Sequence, residues 1–370
     1  MRGKTYTKEP ILIDLFAGAG GISEGFRKAG FKIISANEFD LEIATTYSKN
    51  HPETKVLVKD IASIKPSELL NGHKEVDVIV GGPPCQGFSM AGKRIRDNGA
   101  FLGDPRNQLF YEFYRIVKAI RPKVFLMENV PAILNMRDGS IKNRIINIFS
   151  NLGYKTDVNV LLAANFGVPQ MRKRAVFIGN RLDISPEKMY PEETHGPGRK
   201  LPYVTAGEAI LDLPLIKAGD GTFENKYDKK EDNSYQRERR KNSKILYNHQ
   251  APRHSKKIVT ILKMIEEGQG RSHLPKTLQT KSIHSGAFGR IDRLKPAYTI
   301  TTRFDTPSVG RVTHPIVNRS LTPREAARIQ SFDDNFIFIG SRSSVGKQIG
   351  NAVPPLMAYA IAKQIIKFLK

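Results

Sequence analysis

The chain has 370 residues, of which 39% are hydrophobic, and it carries a formal net charge of +23 at pH 7. The apolar fraction argues against a disordered chain, and no apolar run reaches the length of a membrane span. The single cysteine, Cys85, excludes an intramolecular disulfide, and no leader-like segment opens the sequence, so we expect a cytoplasmic protein. The charge favours a polyanionic partner, because lysine and arginine release counterions when they bind phosphates.

Up to about residue 180, short apolar runs typical of buried strands alternate with amphipathic stretches that predict helices. The apolar runs cover residues 11–16, 33–36, 56–58, 76–80, 124–127, 158–162 and 175–178. The amphipathic stretches cover residues 21–29, 41–49, 108–120 and 141–151. This alternation predicts an α/β fold with a doubly wound, mostly parallel sheet, in which ligands bind beyond the carboxyl ends of the strands.

The composition changes after about residue 182. Residues 186–318 are richer in lysine, arginine, asparagine, proline and glycine, and they include a mixed charge run at 226–244. Such a run is typical either of a solvated loop or of a surface that faces nucleic acid. Helical periodicity returns at residues 323–330 and 355–369. We therefore predict a first domain (1–185), a smaller second domain (186–318) and a segment (319–370) that returns to the first.

A glycine-rich turn with the sequence DLFAGAGG follows the first predicted strand, at residues 14–21. A dinucleotide-binding fingerprint needs a third glycine where this chain has Ser23, so that match is incomplete. Glu38 ends the second strand, where it can accept hydrogen bonds from a ribose, and Asp60 follows the third, where it can contact an adenine amine. The pattern indicates a nucleoside without a pyrophosphate, which favours S-adenosylmethionine over a nicotinamide cofactor. Taken alone, each carboxylate is more typical of a helix cap or a strand-end residue.

Groups suited to covalent chemistry follow other strands. Cys85 comes directly after two prolines and has glycines on both sides, so a stiff turn presents the thiol. Glu128 ends another predicted strand. Gln170, Arg172 and Arg174 alternate along an extended segment, so all three point to one side and face one ligand or phosphate. Taken singly, a lone cysteine is more often a small buried hydrophobe, and an arginine row is equally typical of a solvated strand.

The order of these segments resembles the DNA (cytosine-5) methyltransferase family of prokaryotic restriction-modification systems, over nearly the whole chain. The matching motifs are DLFAGAGG (14–21), GPPCQGFS (82–89), ENV (128–130), QMRKR (170–174), TPREAAR (322–328) and GNAVPP (350–355). In family order these are a cofactor motif, the nucleophile, the catalytic acid, an arginine motif, a support for the recognition domain, and a segment that returns to the cofactor site.

The resemblance implies a Rossmann-like catalytic and cofactor-binding domain at 1–185, a DNA-recognition domain at 186–318, and a return segment that completes the catalytic domain. The implied reaction transfers a methyl group from S-adenosylmethionine to C5 of a cytosine flipped out of a specific double-stranded DNA sequence. Cys85 would add to C6, Glu128 would hold the N3 edge of the base, Arg174 would hold O2, and Arg172 would help to organise the nucleophile and a nearby phosphate. No metal is required.

The resemblance also assigns binding residues. The implied cofactor contacts are Phe16, Gly18, Gly20, Gly21, Glu38, Phe39, Asp60, Ile61, Pro84, Leu109, Asn351 and Val353. The implied DNA contacts are Gln86, Ser89, Arg106, Gln170 and Thr299. We expect a monomer that associates with the nucleoid through DNA and protects host DNA from a cognate restriction endonuclease, without forming a stable complex with it.

Three alternatives remain open at this point. A transfer-RNA cytosine-5 methyltransferase would have the same fold and chemistry, but the form QGFS after Cys85 is usual in DNA enzymes, and residues 186–318 leave room for a duplex-reading domain. A non-catalytic DNA-binding homologue would lack the nucleophile or the intact cofactor turn, and the sequence has both. A nicotinamide-dependent oxidoreductase gives Cys85 and the arginines no role.

Overall fold

The computed structural model describes residues 9–84, 108–279 and 286–369. The predictions for Cys85, Gln86, Ser89 and Arg106 therefore lie outside the described residues. The chain divides into two compact units. Unit 1 comprises Met1–Leu162, Lys173–Glu192 and Ala358–Lys370, and unit 2 comprises Ala163–Arg172 and Glu193–Met357. Most of the predicted return segment is thus grouped with unit 2, and the division into functional domains stays a prediction.

Unit 1 is built on a seven-stranded sheet. Its strands are β1 (Ile11–Leu15), β2 (Lys32–Asn37), β3 (Lys55–Leu57), β4 (Val78–Gly81), β5 (Val124–Asn129), β6 (Lys155–Leu162) and β7 (Lys173–Asn180). Their order is β3-β2-β1-β4-β5-β7-β6. The first five strands pair in parallel, whereas β7 runs antiparallel to both β5 and β6. The predicted α/β fold with a mostly parallel sheet is confirmed, and the carboxyl ends of β1 to β5 meet at one edge.

Eleven helices are present in the described residues. They are α1 (Gly21–Lys28), α2 (Leu41–Asn50), α3 (Pro66–Leu70), α4 (Gln108–Ile120), α5 (Ser140–Ser150), α6 (Ala206–Ile210), α7 (Ser234–Arg240), α8 (Lys256–Lys263), α9 (Pro323–Ile329), α10 (Arg342–Asn351) and α11 (Pro355–Ile365). The six helices predicted from periodicity are α1, α2, α4, α5, α9 and α11, and all are confirmed. Within the described ranges, no helix combines the length and apolarity needed to cross a membrane.

The core of unit 1 lies against its central strands. Every residue of β1 is buried, as expected for a parallel strand that is covered on both faces. An aromatic cluster packs beneath β5, where the rings of Phe125 and Phe149 have centroids 4.1 Å apart and Phe113 approaches both edge-on. Strand β5 pairs in parallel with β4, and these two strands carry the segments that contain Glu128 and precede Cys85.

Buried ion pairs hold unit 2 together around α9. Thr322 caps this helix by accepting a hydrogen bond from the backbone N–H of Glu325. The Glu325 carboxylate takes two hydrogen bonds from Arg319, both 2.8 Å long. Arg328 contacts Asp334 and a second carboxylate in the same way, and all of these side chains are buried. Removing one partner from such a pair leaves an uncompensated buried charge, so the TPREAAR motif is a structural element of unit 2.

The mixed charge run at 226–244 is partly structural and partly solvated. Arg239 is buried and donates to the carbonyl of Ser331 at 2.8 Å, while the guanidinium of Arg240 lies 3.6 Å from the ring centroid of Tyr227. The exposed basic members are Lys226, Lys229, Lys230, Arg237, Lys241 and Lys244. The solvated interpretation applies to these exposed residues, and a role of the run in facing nucleic acid stays a prediction.

Candidate active site

The glycine-rich turn between β1 and α1 depends on left-handed backbone conformations. Phe16, Gly18 and Gly20 have φ angles of 55°, 57° and 96°. Such angles strain residues other than glycine. A Cβ atom on Gly20 would also lie 2.6 Å from Nε2 of His51, whereas a Cβ on Gly18 would meet nothing within 4 Å. The turn is thus packed on its Gly20 side and open at Gly18, where a ligand can approach the backbone.

Glu38 links the end of β2 to this turn. One carboxylate oxygen accepts a hydrogen bond from the N–H of Gly18, and the other accepts from the N–H of Asp40, both at 2.9 Å. Burial raises the pKa of Glu38 above its ordinary value. The next side chain, Phe39, is 74% exposed although it is large and apolar. An oriented acceptor beside an exposed aromatic ring fits the ribose and base of a nucleoside.

The other predicted cofactor residues fall into two groups. Asp60 follows β3 and accepts a hydrogen bond from the N–H of Ala62 at 2.9 Å, so it also serves as a cap, and Ile61 beside it is buried. Pro84 and Leu109 belong to unit 1 as well. Asn351 and Val353 lie in unit 2, at and just beyond the end of α10. Their predicted contacts with the cofactor stay predictions.

A buried acid beneath the turn was missed by the sequence analysis. Asp14 on β1 is fully buried, and its Oδ2 accepts a 2.7 Å hydrogen bond from the hydroxyl of Ser23. The same hydroxyl lies 2.7 Å from that of Tyr47. Among the described residues, Oδ1 of Asp14 has no hydrogen-bond partner. Burial, with a smaller contribution from nearby Glu38, raises the pKa of Asp14 to about 7. In the sequence, Ser23 indicated only that a glycine of the dinucleotide fingerprint is missing. In the structure, it is the hydrogen-bond partner of Asp14.

The contribution of Asp14 to stability should consequently fall as pH rises from about 4 to 7. The pKa of Asp14 rises from an ordinary value of 3.8 to about 7 on folding, so over this interval Asp14 binds fewer protons in the unfolded chain than in the folded one. Asp14→Asn is neutral at every pH and removes this contribution. We expect urea unfolding at pH 5, 6, 7 and 8 to show that the free energy of unfolding of the variant, relative to that of the wild type, increases by a few kcal/mol as pH rises. This difference should level off above pH 7. A pH-independent difference between the two would contradict a buried protonated Asp14.

Glu128 and Arg174 form the centre of the candidate reaction site in unit 1. Strands β5 and β7 pair there, and Nε of Arg174 lies 2.6 Å from Oε1 of Glu128. The two side chains are 12% and 13% exposed, so the pair is largely withdrawn from solvent without being sealed. The structure therefore brings together two of the residues that the sequence predicted, as a preformed acid–guanidinium pair.

The segment that leads to Cys85 is fastened to the same strand end. The side-chain amide of Asn129 donates to the carbonyl of Pro83 at 3.1 Å. A Cβ atom on Gly82 would lie 3.1 Å from Oε2 of Glu128, so the absence of a side chain lets the backbone pass close to the carboxylate. The sequence analysis gave no role to Asn129, although it stands between Glu128 and Val130 in the ENV motif.

The arginine motif alternates as predicted, but its side chains do not all face one ligand. Gln170 and Arg172 are fully buried, while Met171 and Lys173 are exposed. Oε1 of Gln170 accepts from the N–H of Ile300 at 2.7 Å, and Nη1 of Arg172 donates to the carbonyl of the same residue at 3.1 Å. Backbone groups of unit 2 thus take the hydrogen bonds that had been expected to reach a ligand. The predicted contacts of Gln170 with DNA and of Arg172 with the nucleophile stay predictions.

Thr299 lies beside this motif in unit 2. The short strand Ala297–Tyr298 pairs in parallel with Gln170–Met171, and the hydroxyl of Thr299 donates to the carbonyl of Met171 at 3.0 Å. Thr299 itself is exposed. Its position is compatible with a contact to a nucleotide backbone, which stays a prediction.

The sheet order, with β7 antiparallel between β5 and β6, and the glycine turn beside Glu38 are those of the S-adenosylmethionine-dependent methyltransferase fold. Residues 11–367 match the family of C-5 cytosine-specific DNA methylases, and the chain belongs to this family. It is therefore a DNA C5-cytosine methyltransferase, which confirms the sequence-based identification.

Named relatives are consistent with this assignment. The chain is 40% identical to the Type II methyltransferase M1.HphI of Haemophilus parahaemolyticus over 364 residues, which is 98% of this chain and 88% of the relative. It is also 40% identical to the Type II methyltransferase M.DdeI of Desulfomicrobium norvegicum over 383 residues, covering 96% and 88% of the two chains. These relatives place the chain among methyltransferases of the restriction-modification type.

Solved structures resemble it over the whole length. A protein assigned as a DNA modification methyltransferase encoded within an E. coli prophage superimposes with a TM-score of 0.77 at 29% identity, covering 98% of this chain and 99% of the other. The DNMT2 protein of Spodoptera frugiperda gives a TM-score of 0.60 at 17% identity, with 98% and 99% covered, and shares the fold. In the part of the chain that the structure describes, no group of three or more His, Cys, Asp or Glu side chains is placed to hold a metal ion.

Proposed function

We propose that the protein transfers the methyl group of S-adenosylmethionine to C5 of a cytosine that is flipped out of a specific double-stranded DNA sequence. The observation that supports this most is the Glu128–Arg174 pair, with Nε and Oε1 2.6 Å apart, at the strand end to which the segment before Cys85 is fastened. This reaction needs a nucleophile, an acid and a guanidinium, and the acid and the guanidinium lie together at the strand end to which the segment before the proposed nucleophile is fastened.

The residues around the glycine turn suit the cofactor. Bound there, S-adenosylmethionine supplies an electrophilic methyl group on a sulfonium. Glu38 accepts hydrogen bonds from the ribose hydroxyls, while Phe16 and Phe39 contact the adenine. Asp60 accepts from the exocyclic amine, and the open backbone at Gly18 leaves room for the rest of the molecule. Asn351 and Val353 complete the site in this proposal.

The role of Cys85 is to make C5 of the cytosine nucleophilic. The C5 atom of an aromatic cytosine is a weak nucleophile, and addition of a thiolate to C6 turns the ring into an enamine that attacks through C5. The sulfur–C6 bond forms as the C5–C6 double bond opens, and C5 then takes the methyl group. A base or water removes the C5 proton, the double bond returns, and the thiolate leaves. Cys85 is therefore regenerated in each cycle.

Glu128 and Arg174 hold the base while charge develops on it. The carboxyl group of Glu128 contacts N3 and the exocyclic amine, and the guanidinium of Arg174 donates to O2. Because the two side chains are bonded to each other and largely buried, they are oriented before the base arrives. These atoms are inaccessible inside a duplex, so the cytosine must leave the base stack to reach them.

Duplex DNA is the proposed substrate rather than transfer RNA. The chain is 40% identical to two Type II methyltransferases but only 17% identical to the insect DNMT2 protein, whose likeness shows the fold alone. We expect labelled S-adenosylmethionine to transfer its methyl group to duplex DNA and not to transfer RNA. Bisulfite sequencing of the product would then give the target sequence, and activity restricted to RNA would overturn the proposal.

The biological role proposed for this activity is protection of host DNA from a cognate restriction endonuclease. The likeness to Type II methyltransferases supports this role. The enzyme would act as a monomer and would need no stable complex with the nuclease, because the methylated DNA itself carries the protection.

A further inference from the structure

Residues 299–303 of unit 2 are fixed along their backbone. The N–H of Ile300 donates to Gln170, and its carbonyl accepts from Arg172, through bonds of 2.7 and 3.1 Å. Helix α10 lies against the same segment so closely that a Cβ atom on Gly350 would come within 2.4 Å of its backbone. The segment is therefore clamped from two sides by buried groups.

The turn that follows is held equally firmly. Phe304 is buried, and the N–H of Thr306 donates to the carbonyl of Arg303 at 3.0 Å. The hydroxyl of Ser320 donates to the carbonyl of Asp305 at 2.7 Å. Residues 303–306 thus form a rigid turn, although several of their polar side chains reach the surface.

Arg303 stands on this turn, ordered but exposed. Its side chain is 62% exposed, yet Nη2 donates to the hydroxyl of Thr306 at 3.0 Å, and Nε lies 3.7 Å from Oδ1 of Asp305. The Thr306 hydroxyl in turn donates to the same Asp305 oxygen at 3.0 Å. Among the described residues, Nη1 of Arg303 has no partner. Exposed ion pairs contribute about 0–1 kcal/mol to stability, so folding gains little from this arrangement.

A basic cavity adjoins the turn. Its volume is about 310 Å³, and Asp305 and Thr306 line one side while Arg253, His254 and Arg342 line others. The two arginines are exposed, so their guanidinium groups can neutralise phosphates on a polyanion that lies across the turn. A surface that reads DNA combines a rigid backbone, an ordered arginine beside a carboxylate, and flanking cations.

We propose that Arg303 and Asp305 read a G·C pair of the target sequence, while Arg253 and Arg342 contact phosphates beside it. In the major groove a guanine presents two acceptors, O6 and N7, and its paired cytosine presents one donor, the N4 amine. Arg303 supplies donors and Asp305 an acceptor, side by side, which matches this pattern. The inference rests on the proposed function and extends it by naming residues that determine sequence specificity.

The test compares Arg303→Gln with a matched control, Arg293→Gln. Arg293 is another exposed arginine of unit 2, and its Nε lies 3.4 Å from Glu267. Bisulfite sequencing first identifies the target sequence of the wild-type protein. Each protein then methylates, under single-turnover conditions, a set of duplexes that carry every single-base variant of this target. We expect Arg303→Gln to lose about 10- to 100-fold of its discrimination at one G·C position only, and Arg293→Gln to match the wild type. Arg253→Gln should weaken binding to all sequences alike and lower the salt slope by about one.

The outcomes separate this inference from the function on which it rests. Unchanged specificity in Arg303→Gln, or an equal loss at every position, overturns the assignment of Arg303. Absence of methyl transfer by the wild type to any duplex would instead refute the proposed function. If Arg303→Gln does not fold, Arg303→Ala replaces it, because alanine removes every donor of the side chain that could contact guanine. Retained discrimination in that variant likewise overturns the inference.

Discussion

Replacing Cys85 by alanine should abolish methyl transfer to duplex DNA while leaving the affinity for S-adenosylmethionine largely intact. The thiolate is the group that makes C5 nucleophilic, and no other cysteine in the chain can replace it. In the proposed site the cofactor is held by the glycine turn and Glu38, which the substitution does not alter. Isotope transfer from labelled cofactor, with a cofactor titration by calorimetry on the same preparation, measures both quantities.

A second substrate makes the covalent step visible. In duplex DNA with 5-fluorocytosine at the target, the C5 atom carries no removable proton, so the enzyme cannot be released by elimination. The wild type should form a complex with this DNA that survives denaturing electrophoresis, and the Cys85→Ala variant should not. Turnover that persists in the variant would refute the covalent mechanism.

Glu128→Gln should lower the rate of methyl transfer by about 10²- to 10⁴-fold, the range expected for loss of an acid–base group. The amide still has a carbonyl oxygen to accept a hydrogen bond from Nε of Arg174, so the local structure is preserved. The amide cannot, however, donate a proton to N3 of the cytosine as negative charge develops on the base. Single-turnover methylation at saturating DNA measures the effect on chemistry rather than on binding.

The chain offers a matched control in Glu112. This residue pairs with Arg115 on α4 through the same kinds of atom, with Nε and Oε2 also 2.6 Å apart and the two side chains partly exposed. Glu112→Gln should leave the single-turnover rate within about twofold of the wild type, since Glu112 has no role in the proposed chemistry. Equal losses in the two variants would mean that a general effect of removing an ion pair, and not chemistry at Glu128, explains the result.

Most strands of unit 1 were predictable because they are apolar runs bounded by turn or helix signals. Strand β6 was expected to be buried at residues 158–162, but it begins at Lys155, has a mixed sequence and is mostly exposed or half-buried. The observed bounds of β1 and β5 differ from the predicted ones by one or two residues. The antiparallel direction of β7 was not predictable, since an apolar run has no direction. Helix α10 was also missed, because its buried side includes Ser344, Gly346 and Gln348 rather than an apolar stripe.

The candidate site was predictable where a strand end fixes a side chain. Glu128 and Arg174 follow that rule and were found together. Period-two alternation correctly placed Gln170 and Arg172 on one face, but it cannot show what covers that face, and in the structure it is the backbone of Ile300. Contacts of this kind join residues more than a hundred positions apart, so no local pattern contains them.

The hydrogen bond between Ser23 and Asp14 limits how this fold can change its cofactor. A glycine at position 23 would complete the dinucleotide fingerprint, yet it would remove the hydroxyl that donates to the fully buried Asp14. Unsatisfied buried polar groups cost about 1–3 kcal/mol, a sizeable fraction of the stability of a domain. A substitution that completed the fingerprint would therefore lower stability unless Asp14 changed with it. The serine that breaks the dinucleotide pattern is thus retained by the demands of a buried acid as well as by those of a ligand.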